Sequence, residues 1–343
     1  MTFNPRNILI IDFGQLGDVV MSLPALRAVR EKFPFARITV AVGKPGAEII
    51  DMSGCADATI EVDRVALRDG FKPLSILKVF DLIKDVRRRQ FDFVIDLHSF
   101  SETNLLGFIS RAPKRLFARR PGRSLDFLAN FNPKPPVDGN DPKQHLVDRY
   151  LDVLKPLDIK EAPRIPKLSP RPQHYVAVDA MLRKARAETG SPLVGLFPGA
   201  GHPGRRWPIE KFSQLADSLI RNDKLRPLIF VGPEERQMLP QLREMFPAPS
   251  VILDKLSLAE LAAAQARLAV FVSNDTGPVH IAAAVGAPVV VLIDLPTPHA
   301  YVPLCNQQRL MFSESVAAIP VEDVYAATRE LLTSERTSSL FAS

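Results

Sequence analysis

Three short stretches of this sequence carry groups that could bind an anion or move a proton. The first is Asp275-Thr276-Gly277-Pro278-Val279-His280. The apolar run 268–272 before it is short and β-branched enough to be a buried strand, and 281–285 after it ends at Gly286 like a short helix with its stop signal. Pro278 suits the first helical turn, where a missing N–H does no harm, and Asp275 or Thr276 can serve as N-cap. Strand, tight turn and helix start are therefore predicted. Such a start directs unpaired N–H groups and a partial positive charge at one point, where an anion binds best. Read alone, the stretch is as readily a capped helix in an α/β sheet.

The second stretch is Pro198-Gly199-Ala200-Gly201-His202-Pro203-Gly204-Arg205-Arg206-Trp207-Pro208. Glycines and prolines shape a loop, Arg205 and Arg206 bring fixed charge suited to phosphate oxygens, and Trp207, the only tryptophan, anchors it before a helix. A surface loop with incidental arginines is the plainer alternative. The third stretch, Gly14-Gln15-Leu16-Gly17-Asp18, is no dinucleotide fingerprint, because G-x-x-G replaces G-x-G-x-x-G and Lys44 rather than an acid follows the second strand. Asp18 reads most simply as an N-cap worth ~1 kcal/mol. Its catalytic reading is a general base that a helix N-terminus keeps ionised. Together the loops could hold a diphosphate by backbone N–H groups and arginine, with a carboxylate on the opposite lobe. Such a site needs no metal, and no Asp-x-Asp pair, His-x-x-x-His or Cys cluster is present; Gly-x-Ser-x-Gly and a P-loop are missing too.

These loops need strands behind them and helices after them. Buried strands are predicted at 7–11, 38–42 and 93–97, with a helix from Val19 to about Lys32 and a basic amphipathic helix from about Leu74 to Arg89. The run 163–172 has prolines too dense for a helix or central strand and reads as a linker. Strands then return at 193–197, 227–231, 251–253, 268–272 and 288–293, with helices at 209–220 and 258–266. Alternating strands and helices imply parallel sheets covered on both faces. The expectation is two α/β domains, 1–165 and 166–335, with a cleft between the carboxyl edges of their sheets and a frayed tail beyond Glu335.

With 343 residues, 46% of them hydrophobic and 24% charged, the chain can bury two cores. No apolar run approaches the ~20 residues of a membrane span, no signal peptide is read, and Cys55 and Cys305 form no framework, so a cytoplasmic location is expected. The net charge of +6 points to anionic partners, a phosphorylated substrate or an acidic membrane surface. Nucleic acid is disfavoured, because aromatics reach only 7% and do not interleave with the basic clusters.

Gly17-Asp18 followed by Ser22-Leu23-Pro24-Ala25-Leu26-Arg27, then Phe197-Pro198-Gly199-Ala200 with Arg205-Arg206-Trp207-Pro208, then Asn274 to Ala284 resemble the heptosyltransferases of glycosyltransferase family nine over nearly the whole chain. The resemblance implies a GT-B fold, two Rossmann-like domains facing each other across a cleft, and inverting, metal-independent transfer from a nucleotide sugar. It implies that Asp18 is the base, that Arg205 contacts donor phosphate, and that Asp275, Thr276 and Gly277 bind donor sugar and diphosphate with His280 close by. By the same resemblance Glu234, preferred over Glu235, holds the donor ribose.

Two segments depart from the family. Asp294-Leu295-Pro296-Thr297-Pro298 stands where glycine usually precedes Pro-Thr, and Leu97-His98-Ser99-Phe100-Ser101-Glu102 is unusual on the acceptor side. Arg119, Arg120 and Arg123 are candidates for acceptor phosphates or carboxylates. The resulting expectation is a transferase resembling those that move heptose from ADP-heptose to lipopolysaccharide, without cofactor, in peripheral contact with the inner membrane face. A sugar-nucleotide hydrolase or epimerase, or a non-catalytic two-lobed binding protein, would share the fold.

Overall fold

The computed structural model describes residues 3–63, 73–139, 141–159, 161–185, 191–295 and 297–340. Two units divide the chain, Met1–Pro166 and Lys167–Ser343. In the first, β1 (Asn7–Asp12), β2 (Arg37–Gly43), β3 (Ala58–Val62), β4 (Phe93–Asp96) and β5 (Lys114–Phe117) form a parallel sheet in the order β3-β2-β1-β4-β5. Helices α1 (Leu16–Lys32), α2 (Gly46–Ser53), α3 (Pro73–Arg88) and α4 (Ser101–Ile109) alternate with the strands, and α5 (Leu146–Val153) packs on α1. Parallel strands covered on both faces must be apolar throughout, and Ile8 to Ile11 are fully buried.

In the second unit β6 (Leu193–Phe197), β7 (Arg226–Phe230), β8 (Val251–Leu253), β9 (Leu268–Asn274), β10 (Val289–Asp294) and β11 (Gln308–Ser313) lie in the order β11-β10-β9-β6-β7-β8, all parallel. Its helices are α6 (Pro172–Lys184), α7 (Ile209–Asp223), α8 (Leu239–Met245), α9 (Leu258–Gln265), α10 (Gly277–Ala284) and α11 (Val321–Leu340). Alternation along the strands separates two cores. Leu196, Val270, Val272, Val290 and Leu292 meet Phe212, Leu215 and Leu219 of α7 and Val324 and Leu331 of α11. Phe197, Phe271, Val289, Val291 and Ile293 meet Val178 of α6, Ala263 of α9 and Val279 and Ala282 of α10.

Both sheets have the doubly wound order, in which the chain leaves the central strand in opposite directions before and after one crossover. The switch points lie between β1 and β4 and between β6 and β9. The loops that follow these four strands contain all three stretches singled out from the sequence.

Several elements differ from the sequence reading. Helix α1 starts at Leu16, three residues before the first predicted helical residue, and strands β3, β5 and β11 and helices α2, α4, α5, α6, α8 and α11 are absent from that reading. The three strands occupy or approach sheet edges, where alternation is weaker; β11, for example, has no fully buried residue. The final helix continues to Leu340 instead of fraying from Arg336. Pro296, inside the departing donor-side segment, lies outside the described residues.

Candidate active site

In the first unit the site begins at the carboxyl end of β1. Asp12 is fully buried and its Oδ1 accepts the Gly14 N–H at 3.0 Å, folding the chain sharply into α1. Gln15 is the N-cap and Asp18 occupies the third helical position, where its Oδ2 accepts the Gln15 N–H at 2.9 Å. This corrects the reading of Asp18 as the cap itself: it closes the reciprocal half of a capping box. The carboxylate is half-buried, in the first turn of a helix. A Cβ at Gly14 would lie 2.5 Å from the Asp18 Cβ, an atom that no rotamer change can move, so glycine is required where the loop passes Asp18.

Strand β4 ends beside this loop in a second buried carboxylate. Asp96 Oδ1 accepts the N–H groups of Ser99 at 2.7 Å and His98 at 3.1 Å, and Oδ2 accepts Asn104 Nδ2 at 2.7 Å. Burial pushes the Asp96 carboxyl up to about 7, against the pull of these bonds and of the Arg120 charge. Ser99 takes a left-handed φ of 47°, and His98 Nδ1 lies 3.8 Å from Asp12 Oδ1. Asn104 Oδ1 accepts the Leu125 N–H at 2.8 Å, tying down the loop that carries the three candidate acceptor arginines. Arg119 pairs with Asp126 at 3.3 Å; Arg120 pairs with Asp138 at 3.4 Å and covers the Phe100 ring; Arg123 is exposed.

In the second unit the loops after β6 and β9 are joined by one side chain that the sequence reading leaves without a role. Asn274 is fully buried; its Oδ1 accepts the Trp207 N–H at 2.9 Å and its Nδ2 donates to the carbonyls of Pro198 at 3.1 Å and Gly199 at 3.0 Å. Trp207, also fully buried, donates Nε1–H to Ile319 O at 2.9 Å. Arg206 gives both Nε–H and an Nη2–H to the Ala200 carbonyl, so its guanidinium shapes the loop. Arg205, its neighbour, is 45% exposed, with Nε 3.7 Å from Asp294 Oδ2.

Asp275 follows Asn274. Burial raises its carboxyl above the usual range; the Arg205 charge opposes this and Asp294 reinforces it. Thr276 is the N-cap of α10, Gly277 and Pro278 open the helix, and His280 is buried within it. Asp294, at the end of β10, is held by the hydroxyl and the N–H of Thr297. Arg205, Asp275 and Asp294 thus form one charged group beside the start of α10, where the helix adds its own partial positive charge.

The acids after β7 differ in setting. Glu234 is exposed, whereas Glu235 is 4% exposed and inserted between two glycines: a Cβ on Gly199 would come within 2.4 Å of its Cδ, and one on Gly232 within 2.5 Å of Oε2. Burial and the Glu234 charge raise the Glu235 carboxyl, and Arg206 opposes them. The glycines at 199 and 232 are visible in the sequence; that they enclose the second of two adjacent glutamates is not.

Replacing Asn274 by Ala is expected to destabilise the chain by about 3 kcal/mol, since a buried N–H and two buried carbonyls lose their partner. Asn274→Asp would keep an acceptor for the Trp207 N–H but would set a carboxylate oxygen against two carbonyl oxygens, so it should be no better. Urea unfolding measures this, and an unchanged midpoint for both variants would show that the three bonds are dispensable.

Two parallel doubly wound sheets, one in each unit, are the two Rossmann-like domains of the GT-B architecture. The model of the family described as glycosyltransferase family 9 (heptosyltransferase) matches residues 79–323, and the chain belongs to that family. It is 27% identical over 326 residues to lipooligosaccharide heptosyltransferase 2 of Haemophilus influenzae, covering 89% of this chain and 88% of that protein. Among solved structures, a glycosyl transferase family 9 protein from Veillonella parvula superposes with a TM-score of 0.85 at 21% identity, covering 97% of this chain and 99% of the other. The ADP-heptose lps heptosyltransferase II of E. coli superposes with a TM-score of 0.77 at 19% identity, covering 96% and 99%.

Proposed function

We propose that this glycosyltransferase is inverting and metal-independent, and that it moves heptose from ADP-heptose onto a lipopolysaccharide-core or related glycan. The observation that carries the reading is the group at the second switch point: Arg205 beside Asp275 and Asp294 at the N-terminus of α10. A diphosphate bound there would meet a fixed cation and a helix start, the two features that bind phosphate without metal. The names of the Haemophilus and E. coli relatives support heptose, ADP and a lipopolysaccharide-type acceptor.

The reaction follows from the charges. Asp18 accepts the proton of an acceptor hydroxyl as its oxygen bonds to the anomeric carbon from the face opposite the diphosphate. The bond from that carbon to the leaving oxygen breaks, and its electron pair stays on the diphosphate. Arg205 and the α10 N-terminus stabilise that growing charge. Thr276 and Gly277 bring the donor to the helix start, and Asp275 accepts from sugar hydroxyls. Glu234 or its buried neighbour Glu235 holds the ribose. The acceptor meets Arg123 and, through their outward edges, Arg119 and Arg120.

ADP-heptose at 100 times its dissociation constant is expected to stabilise the protein by ~2.7 kcal/mol in thermal melts, and transfer should persist in excess EDTA with inversion read by NMR of the product. A rate restored only by Mg²⁺ or Mn²⁺ would overturn metal independence. ADP-heptose consumed equally without any acceptor would mark a hydrolase instead.

A further inference from the structure

We propose that Asp294 selects against the free nucleoside diphosphate: its carboxylate competes with the bound diphosphate for Arg205, and it disfavours the product ADP, which carries one negative charge more than the esterified diphosphate of an ADP-sugar. The two members of the ion pair are held unequally. Asp294 ends β10, where it lies beside Ser313 of β11, and its Oδ1 accepts the hydroxyl of the buried Thr297. The segment that follows is tied to β11: Leu295 donates its N–H to Ser313 O at 2.8 Å, and the His299 ring stacks on Phe312 with centroids 4.4 Å apart. The carboxylate is therefore fixed, at 18% exposure. Arg205, by contrast, closes the 3-10 turn Pro203–Arg205 and is 45% exposed; its Nε lies 3.7 Å from Asp294 Oδ2, an ion pair too long for a hydrogen bond. An arriving phosphate draws the arginine away, and the carboxylate stays.

The fixed charge reaches its neighbours. Burial raises the Asp275 carboxyl, Arg205 opposes the rise and Asp294 adds to it. Arg205 and the partial charge of the α10 N-terminus therefore face both carboxylates. Transfer leaves the electron pair of the broken bond on the diphosphate, so ADP gains a charge at its terminal phosphate above a pKa of about 6. Arg205 attracts that added charge, and Asp294 repels it. At separations of a few ångströms in a partly buried site, such an interaction is worth about tenfold or more in affinity. The carboxylate also opposes the charge that grows at the transition state, so its benefit lies in product release, the step that limits turnover in many enzymes. The inference rests on the donor and on the Arg205 contact proposed above.

The test is calorimetric titration of the full chain at about pH 8 with ADP and with its β-methyl ester, which lacks both the added charge and the sugar. Asp294→Asn should tighten ADP about tenfold and the ester about threefold or less, so that the preference for ADP over the ester rises. With ADP-heptose as donor, inhibition by accumulated ADP should strengthen by the same factor as ADP binding. Equal gains for ADP and the ester would overturn the proposal. So would weaker binding of both, which would make Asp294 only a support for Arg205. If Asp294→Asn lowers the melting temperature, Thr297→Val decides: without the hydroxyl the carboxylate is free to turn from an arriving phosphate, and ADP should gain about threefold over the ester, an unchanged ratio counting against the proposal. Failure of the donor reading looks different, because neither ADP nor ADP-heptose would then bind the unsubstituted chain, and this inference would fall with it.

Discussion

Asp18→Asn is expected to lower transfer by two orders of magnitude or more while leaving the fold and donor binding intact. The structure makes this substitution informative, because the residue proposed as base also has a separate capping task. As the third residue of α1 it accepts the Gln15 N–H at 2.9 Å, and an asparagine Oδ1 can accept the same bond. Asparagine cannot take a proton at neutral pH, so only the second task is lost. The helix loses a favourable carboxylate in its first turn, a matter of about 0.5 kcal/mol, too little to shift the melting temperature by more than a degree or two. A positioned base contributes 10²–10⁴-fold, so turnover with saturating donor and acceptor is the quantity to measure. Near-normal turnover would leave Asp18 with its capping bond alone. Gly14 belongs to the same argument: an added Cβ would lie 2.5 Å from the Asp18 Cβ and displace the carboxylate without altering its chemistry.

Arg205→Ala should reduce both donor affinity and turnover, the latter by about 10²-fold or more, since the leaving diphosphate is charged from the start and more so at the transition state. Little stability should be lost, because the guanidinium is half-exposed and its partner Asp294 is still held by Thr297. The deletion has a second effect that neutral truncations lack. Arg205 opposes the upward pull of burial and of Asp294 on Asp275, so its removal should push the Asp275 carboxyl further up and move the acid side of the donor-binding pH profile to higher pH. Arg205→Lys keeps the charge without the two-pronged geometry and should fall between alanine and the natural residue. Donor titrations across pH and steady-state kinetics report both effects, and unchanged values with ADP-heptose and other candidate donors would remove Arg205 from the site. Arg206→Ala provides the contrast: it frees the Ala200 carbonyl and unshapes the loop, so its effect should appear in stability as well as in kinetics.

The class of fold and the positions of the three loops are legible in the sequence alone. These are local properties. A β-branched run 193–197 or 268–272, a proline or glycine at its end and a helical period after it act over a few residues, and the parallel arrangement follows once strands and helices alternate. Tertiary structure alone decided which members of adjacent pairs face inward. Arg205 and Arg206 have the same chemistry, yet the Ala200 carbonyl takes one and leaves the other toward Asp294. Glu234 and Glu235 are equivalent in sequence, and the space between Gly199 and Gly232, on loops from two different strands, receives only the second. Asn274 joins loops that start more than 70 residues apart, and nothing within its own segment calls for Pro198, Gly199 or Trp207 as its partners. Likewise Asp12 comes near His98 only because β4 pairs with β1. Where the partners are distant in sequence, as for Asn274, Gly199 with Glu235, and Asp12 with His98, periodicity and propensity carry no information, and the enclosed geometry of a buried polar group selects its partner.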